Sequence, residues 1–145
     1  MTIAILNGPN LNLLGQREPE IYGTQTLSDM MQQLAVDFPN VTFVHHQSNL
    51  EGDLVNWVQQ YGFHAATRVN GIIINPGGYS HTSVAIADAI AAATVPVAEA
   101  HISNIHAREP HRHTSLTGAQ CKGIVTGFGY SSYWMAVSWM LKTKV

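Results

Sequence analysis

Apolar residues fall along the chain in short blocks separated by polar turns, and their spacing alternates between two periods. Ile3 to Leu6 is a continuous apolar run ended by Asn7-Gly8-Pro9-Asn10, the pattern of a buried strand followed by a turn. From Gly15 to Thr24 the chain carries Gln, Arg, Glu and Pro between glycines with no period, which predicts a mobile surface loop. A helix is expected from about Leu27 to Asp37, ended by Pro39-Asn40. Val41 to His45 is β-branched and aromatic enough for a second strand, after which Leu50, Leu54, Val55, Trp57 and Val58 recur at helical spacing as far as Tyr61-Gly62. Gly71-Ile72-Ile73-Ile74 is a third strand cut off by Asn75-Pro76-Gly77-Gly78, and Thr82 and Ser83 offer N-cap chemistry to the alanine-rich helix that follows. Val95 to Ala98 predicts a fourth strand, Glu99 to Thr117 a polar segment, Gly123 to Thr126 a fifth strand and Tyr133 to Leu141 the last helix.

Strands that alternate with helices require βαβ crossovers, hence an α/β fold with a parallel sheet covered by helices on both faces. The expected architecture is a flavodoxin-like three-layer sandwich with five strands in the order 2-1-3-4-5. At 145 residues, with no repeat, linker or low-complexity tract, residues 1–145 are expected to form one domain. In such a sheet ligands bind beyond the carboxyl ends of the strands where the winding reverses, here between strands one and three.

Composition narrows the classes further. Only 11% of residues are charged and 46% are hydrophobic, against about 25% charged in an average soluble domain, so part of the surface is expected to be buried between subunits of a homo-oligomer. A formal charge of −2 and the lack of any basic run argue against nucleic acid. Val84 to Val97 is interrupted by Asp88 and stopped by Pro96, too short and too polar to span a membrane, and the N-terminus lacks the basic segment of a targeting signal. A cytoplasmic protein is expected. The single cysteine, Cys121, excludes an internal disulfide and any CxxC site and reads as a small buried side chain.

The segments that leave strands one, three and four are all polar: Asn7-Gly8-Pro9-Asn10, Asn75 to His81, and Glu99 to Asn104. Asparagines that both donate and accept, glycines that admit a ligand to the backbone, and the Ser103 hydroxyl suit a small polyhydroxylated ligand. Glu99 and His101 stand two apart in extended chain, so one carboxylate can orient or charge one imidazole and make it a general acid, unless both merely edge a solvated loop. Arg17 and Tyr22 share the loop after strand one, where a guanidinium beside a phenol would stabilise the phenolate as a base. Arg112 offers a planar fork for a carboxylate or is a plain surface arginine. His106, His111 and His113 match no common zinc spacing, so no metal site is expected. Asp88 falls four residues after Val84, close to the apolar stripe of its helix, where a carboxylate needs a partner that another subunit could supply.

Taken together these segments resemble the type II 3-dehydroquinate dehydratases, small flavodoxin-like enzymes of the shikimate and quinate routes. The resemblance covers essentially the whole chain and rests on Ile5 to Asn12, Arg17 to Gly23, Gln47 to Gly52, Asn75 to Ser83 and Glu99 to Glu109, in the same order. It implies dehydration of 3-dehydroquinate to 3-dehydroshikimate by anti elimination through an enolate, without metal, Schiff base or other cofactor. By the same resemblance Tyr22 would be the base, directly or through a water, and Arg17 would hold it as phenolate. Asn10 would position the water that stabilises the enolate, and His101, held by Glu99, would protonate the departing hydroxyl. Asn75, His81, Ile102, Ser103 and Arg112 would bind the hydroxyls and carboxylate of the substrate, and Asp88 would reach the site of a neighbouring subunit in a dodecamer built as a tetramer of trimers. The loop from Gly15 to Thr24 would close as a lid. Leu50, Thr114 and His111 depart from the family pattern, where Ser, His and an aromatic or apolar residue are expected. The competing reading is a non-catalytic flavodoxin-like module holding a flavin or phosphorylated ligand, but Pro9 removes an amide from the turn that would cradle a phosphate. A phosphorylated receiver domain would need clustered acids at the ends of the early strands, and none is present.

Overall fold

The structure, a computed structural model, describes residues 1–143. In chain order its elements are β1 (Thr2–Asn7), α1 (Pro19–Tyr22), α2 (Leu27–Asp37), β2 (Thr42–Gln47), α3 (Glu51–Gly62), β3 (Gly71–Asn75), α4 (Val84–Ala92), β4 (Val97–His101), β5 (Gly123–Thr126) and α5 (Tyr130–Lys142). All strand pairs are parallel and the sheet order is β2-β1-β3-β4-β5, the expected one. Register pairs Asn7 with Asn75 and Ile74 with Glu99, so the residues that end β1 and β3 lie level with the second half of β4.

Because β1 and β3 are central and covered on both sides, their sequences are unbroken apolar runs, and alternate side chains serve opposite layers. Ile3, Ile5, Ile73, Ala98 and Ala100 pack against Met30, Met31 and Leu34 of α2 and Tyr133, Ala136, Val137 and Met140 of α5. Ala4, Leu6, Ile72, Ile74 and Val97 pack against Leu54, Val58 and Tyr61 of α3 and Ile86, Ala89 and Ile90 of α4. The edge strands β2 and β5 are more exposed. The start of α2 is fixed by a reciprocal cap: Thr26 Oγ1 accepts from the Asp29 amide at 3.1 Å, and Asp29 Oδ2 accepts from the Thr26 amide at 3.0 Å. Ser83 caps α4 through the Ile86 amide at 2.9 Å. Leu50, by contrast, stands at the N-cap of α3 and has no side-chain oxygen to offer; the Ser48 hydroxyl accepts its amide instead, at 3.0 Å.

Several expectations change. Strand four begins at Val97 rather than Val95 and runs on to His101, because pairing with β3 starts at Ile72–Val97. Glu99 and His101 therefore lie inside the sheet rather than in the polar segment after it. The loop from Gly15 to Thr24 contains the single turn α1, with Pro19 at its first position. The last helix begins at Tyr130, a turn earlier than its apolar spacing suggested. On α4 the buried positions are Ile86, Ala87, Ala89 and Ile90, while Val84 and Asp88 both face outward, so Asp88 is not on the buried stripe.

Candidate active site

At the carboxyl end of the sheet the exits of β1 and β3 touch. The Gly8 amide donates to the Asn75 carbonyl at 2.7 Å, and a Cβ at Gly8 would stand 2.4 Å from the Pro76 carbonyl oxygen, so only glycine lets these turns meet. Beneath them runs a buried polar chain: Asn75 Nδ2 donates to the Tyr133 hydroxyl at 2.9 Å, which donates to Asn7 Oδ1 at 2.6 Å. That chain fixes the floor of a cleft with about 140 Å³ of space open to solvent. Asn10, Arg17, Tyr22, Asn75, His81, His101, Ile102, Ser103 and Arg112 all line it, so nine of the eleven residues singled out in the sequence converge there. Glu99 lies directly behind His101, and Asp88 is apart, exposed on α4.

On β4, His101 is 5% exposed and Glu99 fully buried. His101 Nε2 donates to Glu99 Oε1 at 2.6 Å, which leaves Nδ1 for a ligand. Both carboxylate oxygens carry further bonds, from the Ser115 hydroxyl at 2.6 Å and the Thr117 hydroxyl at 2.5 Å. A buried charge needs such partners, and the sheet supplies them from the segment before β5. The His81 ring lies parallel to that of His101 with centroids 6.5 Å apart, and His81 Nδ1 donates to the Thr114 carbonyl at 2.8 Å. Burial, foremost, holds His81 below the ordinary histidine range, so its neutral form with Nε2 free is favoured. At position 114 only the backbone is used here, which is how threonine stands there without breaking this contact.

The lining residues from the β1 exit and the following segment are held differently. Asn10 adopts a left-handed backbone, φ 67°, and its amide donates to Asn49 Oδ1 at 3.0 Å, which turns the chain out of β1. Beyond it Glu18, at φ 44°, starts α1, and Tyr22 ends it. The expected contact between Arg17 and Tyr22 is not made: Arg17 Nε pairs with Glu18 Oε2 at 3.0 Å, and its side chain is 45% exposed. The guanidinium on Tyr22 belongs to Arg108, whose Nη1 donates to the phenol oxygen at 2.6 Å while its carbon stands 5.5 Å from the ring centre. Arg108 is itself held from behind, because His113 Nε2 donates to its carbonyl at 2.8 Å. Arg112 Nε donates to Glu109 Oε2 at 2.9 Å and still borders the cleft.

Sequence reasoning thus missed Arg108, Ser115 and Thr117. Arg108 lies within a polar segment read for its motif alone, and hydroxyl residues in such a segment give no signal until the fold brings them to a buried carboxylate. The histidine spacing gave no zinc pattern, and among the described residues no three His, Cys, Asp or Glu side chains converge as a metal site. No helix among the described residues is long and apolar enough to cross a membrane.

The arrangement offers, in one cleft, a phenol beside a guanidinium and an imidazole backed by a buried carboxylate. That is equipment for removing a proton from carbon and giving one to a leaving oxygen. The model of the family described as Dehydroquinase class II matches residues 1–141. The 3-dehydroquinate dehydratase of an Exiguobacterium strain is 49% identical over 138 residues, 94% of this chain and 92% of its own. The 3-dehydroquinate dehydratase 1 of Agrobacterium fabrum is 50% identical over 137 residues, 93% of this chain and 92% of its own. The crystal structure of a type II dehydroquinase from Propionibacterium acnes superposes with a TM-score of 0.91 at 39% identity, covering 98% of this chain and 97% of that one.

Proposed function

The chain belongs to the class II dehydroquinases, and on that premise we propose that its cleft eliminates water from 3-dehydroquinate to give 3-dehydroshikimate. The observation that carries the residue assignment is the presence in one cleft of two hydrogen-bonded pairs, Tyr22 with Arg108 and His101 with Glu99. Tyr22, as phenolate held by the Arg108 guanidinium, takes the proton α to the ketone. The electrons pass into an enolate, whose oxygen is met by a water positioned by Asn10. Collapse of the enolate forms the carbon–carbon double bond and breaks the bond to the hydroxyl, which takes the proton of His101 and departs as water. A base carried on α1 and an acid carried on β4 are separate groups, which allows anti elimination.

Asn75, His81, Ile102, Ser103 and Arg112 hold the substrate's hydroxyls and carboxylate. Arg17 joins Tyr22 when the segment from Gly15 to Thr24 closes over the cleft; positive φ at Gly15 and Gly23, at its two ends, supports that reading. The outward position of Asp88 and the scarcity of charge support assembly, with Asp88 serving a neighbouring subunit in a homododecamer, in the cytoplasm. No cofactor is required. A non-catalytic ligand-binding module is disfavoured by the family membership.

Adding the protein to 3-dehydroquinate should raise the ultraviolet absorbance, because dehydration creates a conjugated enone carboxylate. The rise should survive chelator, and borohydride in the presence of substrate. Folded protein that produces no rise would overturn the assignment.

A further inference from the structure

Glu99 is fully buried and receives hydrogen bonds on both oxygens: His101 Nε2 and Ser115 Oγ at 2.6 Å each on Oε1, and Thr117 Oγ1 at 2.5 Å on Oε2. The direction of these bonds follows from what else the hydroxyls do. Ser115 Oγ already accepts the Gly118 amide at 2.9 Å, so its own proton is free for Glu99. Thr117, fully buried, has the carboxylate oxygen closer than the Ser115 hydroxyl, which is 3.3 Å away. A protonated carboxyl here would aim its O–H at an oxygen that donates to it, whereas an ionised carboxylate leaves every proton an acceptor.

Resting on the dehydratase reading, we propose that Ser115 and Thr117 are positioning residues of the general acid. They spread the Glu99 charge over three donors and so set how tightly the Glu99–His101 pair holds the proton that leaves with the hydroxyl. During elimination His101 passes from imidazolium to imidazole, the departing oxygen gains that proton, Glu99 stays ionised, and solvent later restores the proton. Removing a hydroxyl concentrates the carboxylate charge, which binds the proton more tightly and releases it less readily. The other groups facing the pair are unchanged in such variants: His81 from the turn after β3, Arg108 and Arg112 from the segment after β4, Tyr22 from α1, and Cys121 before β5, whose thiol burial, aided by the Glu99 charge, pushes up.

The test reads kcat against pH, and the His101 imidazole titration by nitrogen NMR, for the wild type, Ser115→Ala, Thr117→Val and Thr117→Ser. In Ser115→Ala and Thr117→Val the alkaline limb of kcat and the His101 midpoint should both rise by about one pH unit, the worth of one hydrogen bond to a charge. At the optimum kcat should fall about tenfold with KM little changed, and Thr117→Ser, which keeps the hydroxyl, should restore both readings. Limbs and midpoints that coincide with the wild type's, in variants with native melting curves, would overturn the proposal. If Thr117→Val does not fold, the part-exposed Ser115→Ala decides alone. A wild type without turnover would refute the dehydratase reading instead, while the His101 midpoint would still decide the role of the two hydroxyls.

Discussion

His101 ends β4 with 5% of its surface exposed and Glu99 buried behind it, whereas Tyr22 closes a single helical turn in a segment where every residue from Gly15 to Thr24 is partly or fully exposed. The acid is held by strand pairing to β3 and β5 and by hydroxyls from a third segment. The base is only half-buried: its ring packs at the margin of the core on the α2 and α5 side, and its hydroxyl is held by one hydrogen bond, from Arg108. The difference follows from what each group must do. A carboxylate–imidazole pair depends on fixed partners in a low dielectric, so it belongs in the sheet. A base that must admit and then enclose its substrate belongs on a segment of low local stability.

The strongest way to break this contrast is to remove each group. Tyr22→Phe and His101→Ala should each lower kcat by about 10²- to 10⁴-fold, the usual range for a general base or acid. Tyr22→Phe should leave the melting temperature unchanged; a large fall would mean that Tyr22 holds the fold and that the lid is not independent of it. Next in size, Arg108→Gln should lower kcat by roughly ten- to a hundredfold, since it removes a hydrogen bond from a charged donor. Arg17→Ala should change kcat and KM together, because Arg17 acts through closure of the segment. Steady-state kinetics on the pair separates the two arginines.

Two glycines sharpen the contrast on the side of stability. Gly8→Ala drives a Cβ to within 2.4 Å of the Pro76 carbonyl in the rigid floor and should cost about 1–3 kcal/mol in denaturant unfolding, as overpacking does. A Cβ at Gly23 meets nothing within 4 Å, so Gly23→Ala brings no overpacking, and its cost of about 1–2 kcal/mol should come from the backbone alone, because a φ of 79° disfavours an L side chain.

The smallest effect is the pH dependence of stability. Burial holds both His46 and His81 below the ordinary histidine range, so near their unfolded value of about 6.5 the unfolded chain binds more protons than the native one. Stability should therefore fall as pH drops through that value. His46→Gln should flatten the fall in a melting series and leave turnover intact, since His46 stacks on Trp57 outside the cleft.

Much of this was legible in the chain. The winding order and the place of the cleft follow from alternating periods, because β1 and β3 are covered on both faces and their exits carry the polar turns. Register was not legible: Pro96 marks where β4 approaches, but pairing begins at Val97, and it is this shift that buries Glu99 and His101. Nor was the partner of Tyr22. Arg17 is near in sequence, yet Arg108, 86 positions on, makes the contact because the β4 exit crosses the cleft. Asp88 read as part of a stripe because Val84 is apolar, although both face outward.

The division of labour between a lid-borne base and a sheet-borne acid is tested most directly by deuterium exchange. In D₂O, His101→Ala should place deuterium at the carbon α to the ketone of 3-dehydroquinate without forming product, since Tyr22 can still make and reverse the enolate. Tyr22→Phe should do neither. Exchange by Tyr22→Phe at the rate of His101→Ala would contradict the assignment of the base, and with it the account of the site.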